Sequence, residues 1–301
     1  MTLLVFGANG QVGQELMRAL APLGPVVAAT RSGRLADGSG CETADFDHPQ
    51  HLTALLDRLR PTAVINAAAY TAVDRAEQER DAAFRANAES PGVIARWCAA
   101  HGVPMVHYST DYVFDGQGTQ PYPVDAPTAP LGVYGESKLA GEQAVRAAGG
   151  RHLIFRTAWV YASHSNNFLR TMLRVGADRD ELKVVADQVG TPTPAALIAD
   201  ITAEVLRSDD GRRSGTWHLT AEGETSWHGF AEEIFRQALA SGLVDKAPQI
   251  TAITTAQYPT PARRPAYSRL ATDTLVRDFG VVLPAWQDGV SRVLAELAAA
   301  R

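Results

Sequence analysis

Tyr134-Gly-Glu-Ser-Lys138 places a phenol and an ammonium four positions apart. On a helix that spacing puts both heads on one face, about one turn from each other. A tyrosine with an ordinary pKa near ~10 exchanges its proton poorly at neutral pH, and a nearby cation lowers that pKa by favouring the phenolate. The pair therefore has the form of an acid/base site. Lysine occurs only as Lys138, Lys183 and Lys246 in a chain rich in arginine, and its compact charge suits proton handling better than the guanidinium fork. Tyr-x-x-x-Lys alone also describes a solvated helix face, so the rest of the chain has to decide.

The amino-terminal residues favour chemistry. Thr2-Leu-Leu-Val-Phe6 is an apolar run that leads straight into Gly7-Ala-Asn-Gly10-Gln-Val-Gly13, and an amphipathic stretch follows from Gln14 to Leu23. Strand, tight glycine turn and helix start is the context that makes such a glycine pattern a dinucleotide site. Gly7 permits the turn, Gly10 lets the backbone approach a pyrophosphate at the positive helix end, and Gly13 allows close packing of helix on strand. The second apolar run, Val26-Val-Ala-Ala-Thr30, continues as Thr30-Arg31-Ser32. An arginine with neighbouring hydroxyls there suits a 2′-phosphate where an acidic residue would suit a 2′-hydroxyl. NADPH is the expected cofactor, with NADH possible.

The elements that must position these groups follow from the alternation of the chain. Apolar runs at Val26–Ala29, Thr62–Ala69, Pro104–Tyr108 and His152–Thr157 are separated by helical patterns such as His51–Leu59 and Ser90–Ala100. This predicts an α/β chain with a Rossmann-type doubly wound parallel sheet. Beyond residue 157 the regularity weakens and prolines gather at Thr191-Pro-Thr-Pro194 and Tyr258-Pro-Thr-Pro-Ala-Arg-Arg-Pro265. A smaller substrate-binding lobe is expected there, with residues 1–156 as the dinucleotide-binding domain, 157–301 as mainly the substrate domain, and later segments returning to the first. A helix pattern runs on from Trp286.

Composition limits the partners. The 301 residues are 46% apolar with a formal charge of −5, which argues against a nucleic-acid surface. The Met1–Phe6 start lacks a basic leader region and no stretch approaches the ~20 apolar residues of a membrane span. No nucleic acid and no membrane partner are expected, and a cytoplasmic location is. Cys41 and Cys98 have no metal-ligand spacing and are expected to be incidental or buried thiols.

Two strand ends offer further groups. Ile65-Asn-Ala-Ala-Ala69-Tyr-Thr71 ends in small residues that would let a flat cofactor approach the backbone. His107-Tyr-Ser-Thr-Asp-Tyr-Val-Phe114 supplies hydroxyls and a carboxylate at the same edge, where Ser or Thr can hydrogen-bond a substrate carbonyl beside Tyr134. His107 alternates away from these and is expected in the core.

With Asn66-Ala-Ala-Ala-Tyr-Thr-Ala-Val-Asp74, Ser109-Thr-Asp-Tyr-Val-Phe-Asp115 and Arg156-Thr-Ala-Trp-Val-Tyr161 beside the glycine and Tyr/Lys motifs, the chain resembles the extended short-chain dehydrogenase/reductases. The likeness runs nearly end to end, through Asn166-Asn-Phe168, Asp187-Gln188, Gly190-Thr-Pro-Thr193 and Ser268-Arg-Leu270, and points within them to the sugar-nucleotide reductases. It implies a dTDP-sugar substrate: reduction of the C4 ketone of dTDP-4-dehydro-L-rhamnose to dTDP-L-rhamnose, for surface polysaccharide. The resemblance implies Tyr134, Lys138 and Thr110 as catalytic residues, with Lys138 lowering the phenol's pKa and holding the nicotinamide ribose. It implies Gly10, Gln11, Val12, Asp45, Phe46, Ala69, Tyr70, Thr71 and Tyr108 along the cofactor, beside Gly7, Gly13 and Arg31. Thr110, Asp111 and Trp159 would contact the sugar.

Some members of this family are magnesium-bridged dimers using glutamates. Here Ala196 stands where one is expected, although Glu15 and Glu296 remain, so no metal site is expected and both monomer and homodimer stay open. Two other readings share the fold. An epimerase or dehydratase would keep the Tyr/Lys pair, but a dehydratase usually carries an acidic residue where Tyr112 stands. A non-catalytic regulatory subunit, of the kind that serves methionine adenosyltransferase, would bind nucleotide without turnover.

Overall fold

The computed structural model describes residues 2–208 and 213–300; Met1 and Arg301, the outer limits of the two expected domains, lie outside them. Strand β1 (Leu3–Phe6) is four apolar residues, all buried. Each fully buried Leu or Phe of this kind contributes about 1.5–3 kcal/mol, which makes such a run the natural centre of a sheet covered on both faces. Around it lie β2 (Val26–Thr30), β3 (Glu42–Thr43), β4 (Ala63–Asn66), β5 (Met105–Thr110), β6 (His152–Thr157) and a last strand, Gly215–His218. All pairings are parallel, and the spatial order is Gly215–His218, β6, β5, β4, β1, β2, β3. The chain winds outward in one direction from β1 and in the other from β4. The crevice between their carboxyl ends is where ligands bind in such sheets. Phe6 is in register with both Ala29 and Asn66, so Gly7, Arg31 and Ala67 leave the sheet along one edge.

Several boundaries differ from the sequence expectation. The run expected from Thr62 to Ala69 is a strand only to Asn66, because the Asn66 side chain accepts from the Ala68 N–H at 3.2 Å and turns the chain. Conversely, β5 extends two residues past Tyr108 with all six side chains buried, making Ser109 and Thr110 strand residues. The first helix begins at Gln11, with Gly10 extended at its cap.

The helix Val133–Ala147 carries the Tyr/Lys pair. Its first N–H is capped from a distance by Glu77, whose Oε1 accepts from Val133 N at 2.9 Å, a carboxylate at the positive helix end. A side chain at Gly135 would collide with the Tyr112 carbonyl, and one at Gly141 with the Asn87 carbonyl. These two glycines let the helix lie directly on the backbone behind the crevice.

Beyond β6 the chain builds a lobe from short ladders. Val160–Tyr161 pairs with Thr193–Pro194, Glu181–Val185 with Gln249–Ile253, and Val189–Gly190 with Thr225–Ser226. The helices Phe168–Gly176 and Trp227–Ala240 pack over them around Leu182, Val184, Ala231 and Phe235. Between these pieces the helix Ala195–Ser208 packs on the first helix, tied by Arg18 Nη2 to Asp200 at 2.6 Å, and Gly215–His218 joins the central sheet. No helix among the described residues is long and apolar enough to cross a membrane.

Candidate active site

A cavity of about 450 Å³ runs from the glycine turn to the Tyr/Lys pair. Gly7 has φ +75°, and a Cβ there would strike the Ala68 backbone, so the turn requires glycine. Gly10 caps the first helix with no side chain satisfying the helix N–H groups. These open N–H groups and the helix dipole face the cavity and suit a diphosphate. Gly10, Gln11 and Val12 line it. Gly13 does not; it lies against the Gly7 carbonyl and Ala8, which is packing.

Tyr134, Lys138 and Tyr108 close the far end. Lys138 is 3% exposed, and its ammonium donates to the Tyr108 carbonyl at 2.6 Å. Burial lowers it to about 8, against the raising effect of Glu142. The Tyr134 phenol is pushed up, first by burial and then by the negative charge of Asp111, while the Thr110 hydroxyl is close enough to hydrogen-bond it and oppose the rise. Lys138, which the resemblance implies would lower the phenol's pKa, is held in place by the Tyr108 carbonyl. A phenol with a raised pKa keeps its proton at neutral pH and parts with it less readily than a free phenol. Thr110 Oγ1 donates to Asp111 Oδ1 at 2.8 Å, and the Tyr112 ring meets Tyr134 edge-on at 5.4 Å.

At the other end, Arg31 and Phe46 line the cavity. Asp45 stands beside them without lining it; its carboxylate meets His48 Nδ1 at 2.9 Å and Arg31 Nε at 3.6 Å. Arg31 also lies 3.5 Å from Asp47. These ion pairs are exposed and weak, so the guanidinium is available to a phosphate. Arg31→Ala is expected to raise the NADPH Michaelis constant about ten-fold or more, from the ~1.5–3 kcal/mol of a charged hydrogen bond, with NADH little changed. Equal loss for both cofactors would sink that assignment.

Ala69 and Thr71 line the cavity wall, whereas the Tyr70 hydroxyl turns away to Glu79 at 2.5 Å. The Tyr70 backbone is gripped instead by Asn87, which accepts from its N–H at 2.8 Å and donates to its carbonyl at 3.0 Å and to Ser137 Oγ at 2.9 Å. Asp111 and Trp159 lie outside the cavity lining. Trp159 has φ +48° and stacks on Trp227 with ring centroids 3.6 Å apart. A non-glycine residue held in that conformation costs on the order of 1–3 kcal/mol and marks functional sites. His107 is fully buried and bonded to Asn66 at 3.1 Å, as expected of a core histidine.

Several lining residues had no role assigned from the sequence. Thr157, at the end of β6, presents a buried hydroxyl with no hydrogen-bond partner to the cavity, an atom that a bound polar ligand would satisfy. Ser165 and Asn166 reach it from the second lobe, beside Gln14, whose amide donates to Ser165 Oγ at 3.4 Å. Only a chain already folded brings them to the glycine turn. Asn87 sits in a π-helical turn, Arg85–Glu89, a distortion that recurs at functional sites. Glu15 is engaged by His164 and Arg18 at 3.0 and 3.1 Å, Glu296 by Arg292, and Ala196 is buried.

A parallel sheet with its switch-point crevice, a glycine turn at a helix start and a Tyr/Lys pair on one helix, its lysine buried, define a Rossmann-type, dinucleotide-dependent oxidoreductase. Comparison with known proteins narrows this. The RmlD substrate binding domain family matches residues 1–299. The chain is 46% identical to dTDP-4-dehydrorhamnose reductase of Shigella flexneri and to that of Escherichia coli strain K12, in each case covering 99% of this chain and 98% of the relative. The structure of dTDP-4-dehydrorhamnose reductase from Bacillus anthracis in complex with NADP superposes with a TM-score of 0.88 at 32% identity, covering 98% of this chain and 99% of that one. The chain belongs to the dTDP-4-dehydrorhamnose reductase family.

Proposed function

We propose that the chain reduces the C4 ketone of dTDP-4-dehydro-L-rhamnose to dTDP-L-rhamnose with NADPH. The observation that carries this is a phenol and a buried lysine one helical turn apart, lining a cleft that runs to the glycine turn. When bound, the cofactor supplies hydride to C4. Tyr134 gives its proton to the oxygen at C4, and the Thr110 hydroxyl, which donates to Asp111 Oδ1 in this structure, would turn to donate to that oxygen, where charge develops. Lys138, already fixed by the Tyr108 carbonyl, would hold the nicotinamide ribose. The N–H groups at Gly10–Val12 would hold the diphosphate, and Arg31 the 2′-phosphate. Ala69 and Thr71 would flank the nicotinamide half, and Thr157 would hydrogen-bond the cofactor at the floor of the cleft.

Asp111 and Trp159 would meet the sugar. The division of labour follows: residues 1–156, with the returning segments 195–208 and 215–218, hold the cofactor, while the rest of 157–301 shapes the sugar site. The cleft is built from one chain, so a monomer has the parts it needs, and a homodimer would keep them. The tyrosine at 112, where a dehydratase carries an acid, supports reduction over elimination.

The test is an absorbance assay of NADPH oxidation with the dTDP-keto sugar, with the product identified by mass. Consumption of NADPH and formation of a product two hydrogens heavier is expected. A chain that binds NADPH tightly yet leaves the keto sugar unchanged would place it with the non-catalytic regulatory subunits instead.

A further inference from the structure

Trp159 stands where the cofactor cleft meets the second lobe. Thr157 and Val160, flanking it in sequence, both line the cavity, and Trp159 does not. Its φ of +48° turns the chain out of β6 and into the Val160–Tyr161 ladder with Thr193–Pro194. A bulky L-residue avoids that conformation, so the surroundings have to hold it. The Trp159 carbonyl accepts from the Thr193 N–H at 3.2 Å. Its indole stacks on Trp227, with ring centroids 3.6 Å apart and planes within 6° of parallel. The Cε2–Nε1 side of the ring lies against Gly190, where a Cβ would fall 2.5 Å from Cε2, so only glycine leaves the indole room.

Trp227 is the fixed member of the pair. It opens the helix Trp227–Ala240, whose start is capped by Ser226 Oγ accepting from the Gly229 N–H at 3.0 Å. Phe168 backs its ring at 4.7 Å between centroids, and Thr225–Ser226, just before it, pairs with Val189–Gly190. The ladder that brings Gly190 to the indole therefore also sets the ring on which the indole stacks. Trp159 is only half-buried, and its indole N–H has no hydrogen-bond partner among the described residues. A ring held in place with a free donor at its edge suits a sugar hydroxyl.

We propose that Trp227 is a positioning residue for the substrate: it holds Trp159 in the left-handed conformation in which the indole meets the sugar. The proposed reduction has Trp159 contact the sugar, and this inference rests on that reading and deepens it. Trp227 lines no part of the cofactor cavity, so its work is confined to the substrate. Taking away the Trp227 ring removes the stack while leaving the strained backbone, and the indole is then free to leave its place. Substrate binding weakens. Proton transfer from Tyr134 keeps its geometry, because that phenol stands on the Val133–Ala147 helix.

The experiment pairs NADPH oxidation kinetics on the dTDP-keto sugar with calorimetric titration of the NADP-loaded protein by dTDP-L-rhamnose and by dTDP. In Trp227→Leu the Michaelis constant for the keto sugar and the dissociation constant of dTDP-L-rhamnose should each rise about ten-fold, the upper end of what one aromatic stack is worth. The single-turnover rate at saturating sugar, the affinity for NADPH and the affinity for dTDP should stay near wild type. Trp227→Phe, which keeps a ring to stack on, should recover most of the loss. If Trp227→Leu disturbs the fold, seen as lost NADPH binding, Gly190→Ala moves the same indole from the Gly190 side and should raise the same two constants. Wild-type constants for the sugar in the folded variant, or equal losses for dTDP and dTDP-L-rhamnose, overturn the positioning role. A wild-type chain that binds dTDP-L-rhamnose yet consumes no NADPH with the keto sugar overturns the reduction itself, and the titrations still decide what Trp227 does.

Discussion

Tyr134→Phe should bind NADPH nearly as the wild type does and turn over about 10²–10⁴-fold more slowly, the usual worth of a positioned general acid. The ring's packing survives the change: its edge-on contact with Tyr112 at 5.4 Å involves ring faces and edges, not the hydroxyl. Only the oxygen goes. The phenol keeps its proton through neutral pH, which is the state an acid in the reductive direction must start from. Stopped-flow NADPH oxidation beside a fluorescence titration of NADPH separates the two quantities. A near wild-type rate in Tyr134→Phe would hand the proton to another group and refute the mechanism.

Glu142→Ala should be the most destabilising single change near the site, by about 3–5 kcal/mol, because it strands a buried cation. Glu142 is fully buried on the helix that carries Tyr134 and Lys138. Arg156, on β6 and 4% exposed, donates to it through Nε and Nη2, each at 2.8 Å, and Arg146 adds a contact at 3.1 Å. Burial raises the Glu142 carboxyl, but the hydrogen bonds and charge of Arg156 outweigh it and hold the group below its ordinary value. Arg156 also donates to the Val124 carbonyl at 3.0 Å and lies over the Phe114 ring, so one guanidinium joins the catalytic helix, β6 and the loop beyond β5. The melting temperature should fall by roughly ten degrees, given about 2–4 °C per kcal/mol in chains of this order of size. Replacing both partners, Glu142→Leu with Arg156→Met, should recover much of the loss, since no lone charge is left buried. A Glu142→Ala melting point within a degree or two of wild type would show that water or a side-chain rearrangement satisfies Arg156.

The local grammar of this chain is enough to place the Tyr/Lys pair on one helix face and the glycine turn at the sheet edge. Tyr134 and Lys138 share a helix face because the α-helical period leaves no alternative at a spacing of four. Gly7 was legible because an apolar run, a glycine pair and an amphipathic stretch in that order admit few other folds, and the parallel sheet followed from alternating strand and helix patterns. Each of these signals lies within a few residues along the chain. What surrounds the pair lies far apart in sequence, and only packing could bring it together. The ammonium of Lys138 faces the Tyr108 carbonyl because β5 runs on to Thr110 under the helix. Asn87 reaches the site from a distorted turn with no motif to announce it, and Thr157, within the Arg156–Tyr161 motif, had no role until β6 set its hydroxyl in the cavity. Nothing in the local sequence marks Gly135 and Gly141; the backbones of Tyr112 and Asn87 lie against them. The Glu142–Arg156 pair joins residues on neighbouring elements that carry no mutual spacing rule. Periodicity reports which face a residue is on; a pKa or a close approach depends on what the rest of the chain has placed against that face, and that is settled only by the tertiary fold.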